Sequence, residues 1–360
     1  MRLVAARASL ARLGFVRPIR TSRGEFGTRQ SVILALGDED GRSGYGEAAP
    51  WPGFGTESEA EALAALEDAA RLVRGADLEP GELPGDVAER LRDAPAARAA
   101  VQGALWDLAA RRAGLSLATC LATRAGAARG AALREVRVSA LLVGNSPQAL
   151  RLEAERAREE GHTAAKIKLG AASLDEDRSR ARAAREGLGP GISLRGDANG
   201  AWSEIDARAA LQALAEFDFD YIEQPVAPGD VAALARLRGW AGVRIAADES
   251  VASEGGALHL IQSGAVDVLV LKPAMLGGPA RSLEIADRAR QAGCDVVFSH
   301  AFESAVGARH VLHCAAAWSD ALAVHGLCTA GLFVDDIAEP VACRHGLAAV
   351  PGGPGLGITP

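Results

Sequence analysis

Two hydrophobic patterns divide the chain. Over roughly the first 125 residues, short apolar runs give way to helical spacing. Residues 31–36 (SVILAL) form an apolar run, Gly37-Asp38-Glu39-Asp40-Gly41 supplies a turn, and residues 45–48 read as the return strand. Residues 57–74 and 96–113 then carry helical periodicity, the second with Val101, Leu105 and Leu108 at i, i+4 and i+7. Strands followed by helices predict an α+β module. From about residue 134 the pattern changes to short apolar strands alternating with amphipathic helices. The strands are predicted at 136–142, 164–169, 192–195, 221–222, 244–246, 266–271, 295–298 and 321–324. Helical segments between them include 147–160, 174–186, 204–216 and 279–291. Eight strands in such a series are the count for a closed parallel α/β barrel. A doubly wound sheet ranks second, because no G-x-G-x-x-G follows a strand and opens a helix. The tail after Gly331 is rich in glycine and proline and is expected to pack back on the first module.

Composition narrows the class. The 360 residues are 49% hydrophobic but only 4% aromatic, so the core is expected to be aliphatic and alanine-rich. No apolar run reaches the roughly 18 residues of a membrane span, and no apolar stretch near Met1 reads as a secretory signal. The five cysteines are scattered and include no C-x-x-C pair, which suits a reducing compartment better than a disulfide framework. A net charge of −7 without blocks of basic residues argues against a nucleic-acid partner. The expectation is a soluble, cytoplasmic, globular protein.

One count carries chemistry. Of the 39 lysines and arginines only Lys166, Lys168 and Lys272 are lysine. Arginine serves a solvated surface as well, but its guanidinium does not give up its proton in a protein. Three retained amines mark positions where a titratable amine is needed. They fall at strand ends: Lys168 closes the second barrel strand, Asp197 the third, Glu223 the fourth, Asp248 the fifth and Lys272 the sixth. The intervals of 29, 26, 25 and 24 residues are each about one βα unit, which brings all five to the C-terminal rim. Neighbouring strands lie about 4.8 Å apart, so three carboxylates on consecutive strands repel unless a cation sits among them. Hard oxygen donors favour Mg²⁺ over zinc. Alternation along strands predicts that Arg195, Asp197 and Asn199 project together, as do Lys166 and Lys168. Two adjacent amines and a divalent ion would lower each other's pKa, so that Lys168 could act as a general base with Lys166 beside it. Lys272 would approach from the other side of the pocket.

The ordered set KIKLG, RGDANGAW, IEQP, ADES and LKP resembles the enolase superfamily, specifically its muconate lactonizing enzyme subgroup. The likeness spans nearly the whole chain. It implies an α/β fold: a modified TIM (β/α) barrel over residues 126–330, with an N-terminal α+β capping domain (1–125) completed by the C-terminal tail (331–360). It implies Mg²⁺, with Mn²⁺ as the alternative ion, held by Asp197, Glu223 and Asp248. The implied chemistry is removal of a proton α to a carboxylate, giving an enediolate stabilised by the metal. A lysine at position 272 separates this subgroup from the mandelate racemases, and without an Asp there His300 reads as structural or as a support behind the reacting groups.

Within the subgroup, residues 299–307 (SHAFESAVG), 324–333 (VHGLCTAGLF) and 46–54 (GEAAPWPGF) look like those of the o-succinylbenzoate synthases. So do residues 17–26 (RPIRTSRGEF), which in that family fold from the cap over the barrel mouth. That likeness implies dehydration of a small carboxylate, 2-succinyl-6-hydroxy-2,4-cyclohexadiene-1-carboxylate, on the menaquinone pathway. Lys168 would take the α-proton and then help hydroxide leave from the same face, while Lys272 would lie over the ring as a cation–π partner. Arg195, Ser299, Glu303 and Gly326 would lie at or near the substrate, and Asn199 and Glu249 would hold ligands and lysines. The chain departs from the pattern at Cys328, where a smaller residue is expected, and it lacks the D-x-D that dipeptide epimerases carry near the eighth strand. The same amine pair would serve an N-acylamino acid (N-succinylamino acid) racemase, and the alternative reading is that racemase or one enzyme with both activities. A barrel that merely binds carboxylates predicts loss of an amine or ligand, and none is lost.

Overall fold

The computed structural model describes residues 1–21, 24–124, 131–318, 320–328 and 331–358. The predicted boundary at 125/126 lies outside the described residues, as do Ser22, Arg23, Thr329 and Ala330 of the segments quoted above.

The N-terminal module opens with three antiparallel strands, β1 (Leu3–Thr21), β2 (Gly24–Asp38) and β3 (Ser43–Ala48), in the order β1-β2-β3. The predicted run at 31–36 is the second half of β2, with Val32 opposite Leu10 of β1 and Ala48 of β3. Strand β1 gave no period-2 signal because its outer positions, Val4, Leu10 and Val16, are exposed apolar residues. Four helices follow: α1 (Glu59–Val73), α2 (Gly85–Arg90), α3 (Pro95–Ala113) and α4 (Leu117–Arg124). Strand β3 lies directly on α3, and a Cβ at Gly44 or Gly46 would collide with the carbonyls of Ala104 and Ala100. The alanines of α3 permit the same close approach from the other side. Glu57 accepts from the Ala96 and Ala97 amides at 3.2 and 2.6 Å, satisfying donors that the first turn of α3 cannot use itself.

The second module alternates strands and helices. In order these are β4 (Glu135–Val138), β5 (Ala140–Leu142), α5 (Pro147–Glu159), β6 (Ala164–Lys168), α6 (Leu174–Leu188), β7 (Ser193–Asp197) and α7 (Glu204–Leu214). Then come β8 (Phe219–Glu223), α8 (Val231–Leu237), β9 (Ile245–Ala247), α9 (Glu254–Ser263), β10 (Val268–Leu271), α10 (Pro279–Gln291), β11 (Asp295–Phe298), α11 (Ala305–Trp318) and β12 (Val324–His325). Serine caps start α5, α6, α7 and α9, each accepting from an amide three residues on. Strands β5 to β11 form one parallel sheet of seven. The ring closes through β12, which pairs in parallel with β4 and meets β11 at the Ser299–Gly326 bridge. The predicted first strand, 136–142, is thus split at Ser139: β4 serves β12, and β5 serves β6. Its interior is filled by Tyr221, Ala246, Val268, Val270 and Val297, and a larger apolar cluster fills the space between strands and helices. This is a modified TIM barrel with an N-terminal cap.

The tail adds β13 (Cys343–Arg344) and β14 (Leu347–Ala349), and β14 pairs antiparallel with β4. Beyond them, Leu117 donates to the Gly355 carbonyl and Leu356 to Asp107 of α3 at 2.7 Å, so the last residues reach the cap helices. Among the described residues, no helix is long and apolar enough to cross a membrane. All five cysteines carry free thiols.

Candidate active site

The register of the sheet places the charged residues. Lys168 lies opposite Asp197, and Asp197 opposite Glu223, each the last residue of its strand. Asp248 and Lys272 are the first residues beyond β9 and β10. The row around the rim therefore reads lysine, aspartate, glutamate, aspartate, lysine on β6 to β10, with Glu223 at its centre. The predicted strands at 192–195 and 221–222 stopped short of Asp197 and Glu223 because polar residues end an apolar run on paper. Both strands in fact continue through them, since the hydrogen-bond ladder is indifferent to side-chain polarity.

Each carboxylate meets an ammonium. Lys166 Nζ lies 3.1 Å from both oxygens of Glu223 and 3.4 Å from Asp197. Lys168 Nζ donates to Asp197 at 2.6 Å and to Asn199 Oδ1 at 2.8 Å. Lys272 Nζ lies 2.5 Å from both oxygens of Asp248. Asn199 also donates to Glu249 Oε1 at 3.1 Å. It stands at φ 46°, in the left-handed region that asparagine tolerates better than most residues, and Gly200 follows at φ 72°. One of the chain's two asparagines thus serves this turn both by its backbone and by its bonds to Lys168 and Glu249.

The electrostatics follow from burial. Asp197 and Glu223 are each 1% exposed and Asp248 6%. Burial opposes ionisation of Asp197, but Lys168 and Lys166 outweigh it and hold the carboxyl well below its usual range. Glu223 moves the other way, pushed up to about 8 by burial and then by the Asp197 charge. Glu249 rises to about 7 through burial and then Asp248. Burial works against the Lys166 charge, yet Glu223 and Asp197 raise its pKa well above an ordinary lysine's. The lowering expected from the sequence draws on a divalent ion as well as on the second amine; for Lys166 the carboxylates it faces outweigh the second amine. Lys272 is raised likewise, Asp248 and Glu249 overcoming its burial.

Four buried carboxylates thus face three lysines, and the two raised acids, Glu223 and Glu249, owe their shift first to burial and then to the neighbouring carboxylates. Asp197, Glu223 and Asp248 are hard oxygen donors on consecutive strands, a set chemically suited to Mg²⁺. Among the described residues, no three acidic, histidine or cysteine side chains already converge as a metal cage. The three carboxylates are instead engaged by lysines.

A cavity opens over this row. Its polar floor holds Lys166, Lys168, Asp197, Asn199, Asp248 and Lys272. Its walls come from the cap (Trp51 and Phe54), from Ser139 and Leu141, from residues 299–302, and from Gly326 and Cys328. Lys272 Nζ lies 4.6 Å from the centre of the Phe54 ring, so the protein itself supplies a cation–π partner. A Cβ at Gly326 would come within 2.8 Å of Ser299 Oγ, which explains the missing side chain. Cys328 lies in the wall, its thiol lowered by a hydrogen bond with Cys343. His300 also lines the cavity; burial, then Lys272 and Lys166, drop it to about 3, and its Nδ1 accepts from the Phe302 amide. It is a neutral ring with the proton on Nε2.

Two predicted site residues lie elsewhere. Arg195 faces the barrel interior but sits one inward position below Asp197, pointing to the opposite end of the barrel. There it bonds Asp220 at 3.1 Å and the Val324 carbonyl at 2.8 Å and lies over Tyr221. Strand alternation fixes the face but not the depth, so Arg195 helps plug the barrel floor. Glu303 does not line the cavity; its Oε2 accepts from the Ala301 amide at 2.5 Å and it lies beside Glu47. Glu249 is a neighbour of the row through Asn199 and is not a lining residue.

Sequence reading missed several contributors. Gln224, at φ 41°, accepts from the Asp248 and Ser250 amides with its side chain and so fixes the turn that carries Asp248. Trp51, Phe54 and Phe302 form part of the apolar wall; the segments that contain them, 46–54 and 299–307, were singled out by likeness, but these side chains were given no role.

Known proteins bear on this arrangement. The family model for the mandelate racemase/muconate lactonizing enzyme N-terminal domain matches residues 8–122, and that for an enolase C-terminal domain-like unit matches residues 149–360. An o-succinylbenzoate synthase of Mycolicibacterium smegmatis is 43% identical over 197 residues, 54% of this chain and 59% of that protein. The chain thus spans less than two thirds of that relative. A hydrophobic dipeptide epimerase of Roseobacter litoralis is 36% identical over 292 residues, 80% of each chain. The crystal structure of the Enterococcus faecalis dipeptide epimerase, complexed with Mg and L-Leu-L-Tyr, superposes with a TM-score of 0.90 at 28% identity over all of both chains.

Proposed function

The chain belongs to the enolase superfamily, in its mandelate racemase/muconate lactonizing enzyme branch, and from that premise we propose that it is an o-succinylbenzoate synthase. The reaction removes the proton α to the carboxylate of 2-succinyl-6-hydroxy-2,4-cyclohexadiene-1-carboxylate and expels the neighbouring hydroxyl as water, leaving an aromatic ring. Lys168 takes the α-proton and returns a proton to the departing hydroxyl on the same face, so one amine serves both halves of a syn elimination. Asp197 and Asn199 orient that amine through bonds of 2.6 and 2.8 Å. Lys272, across the row, holds positive charge where the carboxylate gains electron density. Asp197, Glu223 and Asp248 are the residues that would hold Mg²⁺. Bound there, Mg²⁺ would offset most of the charge of the three carboxylates, loosen their hold on the lysines and polarise a substrate carboxylate as a Lewis acid.

The observation that carries the synthase reading over dipeptide epimerisation is the composition of the wall. Among the described residues, the only carboxylates lining the cavity are Asp197 and Asp248, both engaged by lysines, and the β12 side offers Gly326 and Cys328. A dipeptide's free ammonium has no acidic partner there, whereas the proposed substrate carries no ammonium. The amine at each end of the row also suits an N-succinylamino acid racemase, which is the second reading. Side-by-side turnover of the cyclohexadiene carboxylate, N-succinylamino acids and L-Leu-L-Tyr with Mg²⁺ tests the assignment. The expected kcat/KM for the dipeptide is lower by about a hundredfold or more, because an unpaired buried charge is costly. Dipeptide epimerisation as the fastest reaction would overturn the reading.

A further inference from the structure

The chain has few aromatic residues, eight Phe, five Trp and two Tyr, and six of them meet at the cavity mouth. Trp51 packs on Phe26, Phe54 and Phe302 with ring centres 5.2, 5.3 and 6.0 Å apart. Phe15 packs on Phe302 at 5.8 Å and on Phe333 at 4.9 Å. The group draws on the cap strands, the loop after β3, the loop after β11 and the tail, so something must hold these pieces in register. Phe302 in particular stands at φ 58°, a left-handed backbone that a bulky residue adopts only when its surroundings enforce it.

The enforcing group at this corner is a buried cation. Arg29, on β2, is 8% exposed. Its guanidinium donates to the Ala49 and Pro50 carbonyls at 2.7 Å each and to the Ala301 carbonyl at 3.2 Å, and it lies 4.9 Å from the Trp51 ring centre. One side chain thus joins the backbone leading into Trp51 and Phe54 to the peptide leading into Phe302. The other face of that corner is fixed by Glu303, which accepts from the Ala301 amide, and by His300, which accepts from the Phe302 amide.

We infer that Arg29 is a positioning residue that locks the Trp51–Phe54 loop and the Ala301–Phe302 corner into one aromatic collar, and that this collar selects substrates with an apolar, ring-sized body attached to the reacting carboxylate. A planar fork with donors on three nitrogens can serve three carbonyls at once; a lysine ammonium cannot match that spread. The selection part of this inference rests on the reading that the rim cavity is where substrate reacts.

The test uses full-length Arg29→Met and Phe302→Ala, singly and together, with Arg29→Lys as the variant to fall back on should Arg29→Met not fold. Steady-state kinetics are expected to show a rise of about tenfold or more in KM for ring-bearing substrates, with kcat changed far less, in both single variants. The double variant is expected to be no worse than the poorer single, because both changes dismantle the same collar. Hydrogen exchange is read in parallel and needs no turnover. Removal of Arg29 is expected to speed exchange in residues 49–54 and 299–304 together, while β6 to β10 keep their protection. Losses that add in the double variant, a fall in kcat at constant KM, or unchanged exchange at the Ala301–Phe302 corner would overturn the inference. Faster exchange in Arg29→Met, where the wild type turns over none of the substrates, would instead leave the lock standing and remove the proposed function together with the selection that rests on it.

Discussion

Glu303→Gln should make the protein more stable, by a margin that opens above about pH 4.5 and is full above about pH 7. Glu303 is buried at the seam between cap and barrel, with Glu47 beside it. Burial, and then the Glu47 charge, push its carboxyl from 4.5 to about 7. Between those values the folded protein keeps a proton that the unfolded chain has released. Unfolding then releases a proton, so stability falls as pH rises through the window from about 4.5 to 7 and the loss is complete above it. The interval is worth about 3 kcal/mol. Glutamine keeps an oxygen for the Ala301 amide, which Glu303 Oε2 now accepts at 2.5 Å, but it carries no charge. Urea unfolding at a series of pH values is the assay. The variant and wild type should agree within about 0.5 kcal/mol near pH 4.5, and the variant should lead by about 2–3 kcal/mol at pH 8. A constant difference across that range, or a variant less stable at pH 8 than wild type, would refute the argument.

Two further outcomes follow from other parts of the structure. Asp107 is fully buried and accepts from the Tyr45 amide at 2.9 Å, the Leu356 amide at 2.7 Å and Arg111 Nε at 3.1 Å. Asp107→Ala should therefore cost about 3–5 kcal/mol and expose the end of the tail to proteolysis, and a loss under about 1 kcal/mol would contradict that. Mg²⁺ at about 100 times its dissociation constant should stabilise wild type by about 2.7 kcal/mol. Glu223→Gln should lose most of that gain in a thermal melt, and equal gains in both proteins would place the ion elsewhere.

Legibility in the sequence varied with how far each signal was local. The rim row was readable because five residues recur at barrel spacing and because lysine is confined to Lys166, Lys168 and Lys272; both facts survive without coordinates. The barrel strands were found by their apolar runs, yet their ends were misplaced at Asp197 and Glu223, where side-chain polarity and backbone pairing part company. Arg195 was placed near the substrate by the family likeness, while alternation along the strand gave only its face and is silent on depth. Strand β1 escaped notice because half of its apolar positions face solvent. The seam of Arg29, Glu47 and Glu303 could not be read at all. Glu47 accepts from the Ser304 and Gly307 amides at the start of α11, contacts that span about 260 positions of chain. Nothing in local spacing announces such a pairing.

The most direct measurement follows the absorbance of the cyclohexadiene carboxylate with Mg²⁺-loaded wild type, Lys168→Arg and Lys272→Arg under identical conditions. Arginine keeps the positive charge beside Asp197 or Asp248 but cannot serve as a base. The account expects rapid aromatisation by wild type and a loss of about 10³-fold or more in Lys168→Arg, the scale of a removed general base. Lys168→Arg turning over at a rate near wild type would contradict the central claim that this amine moves the proton.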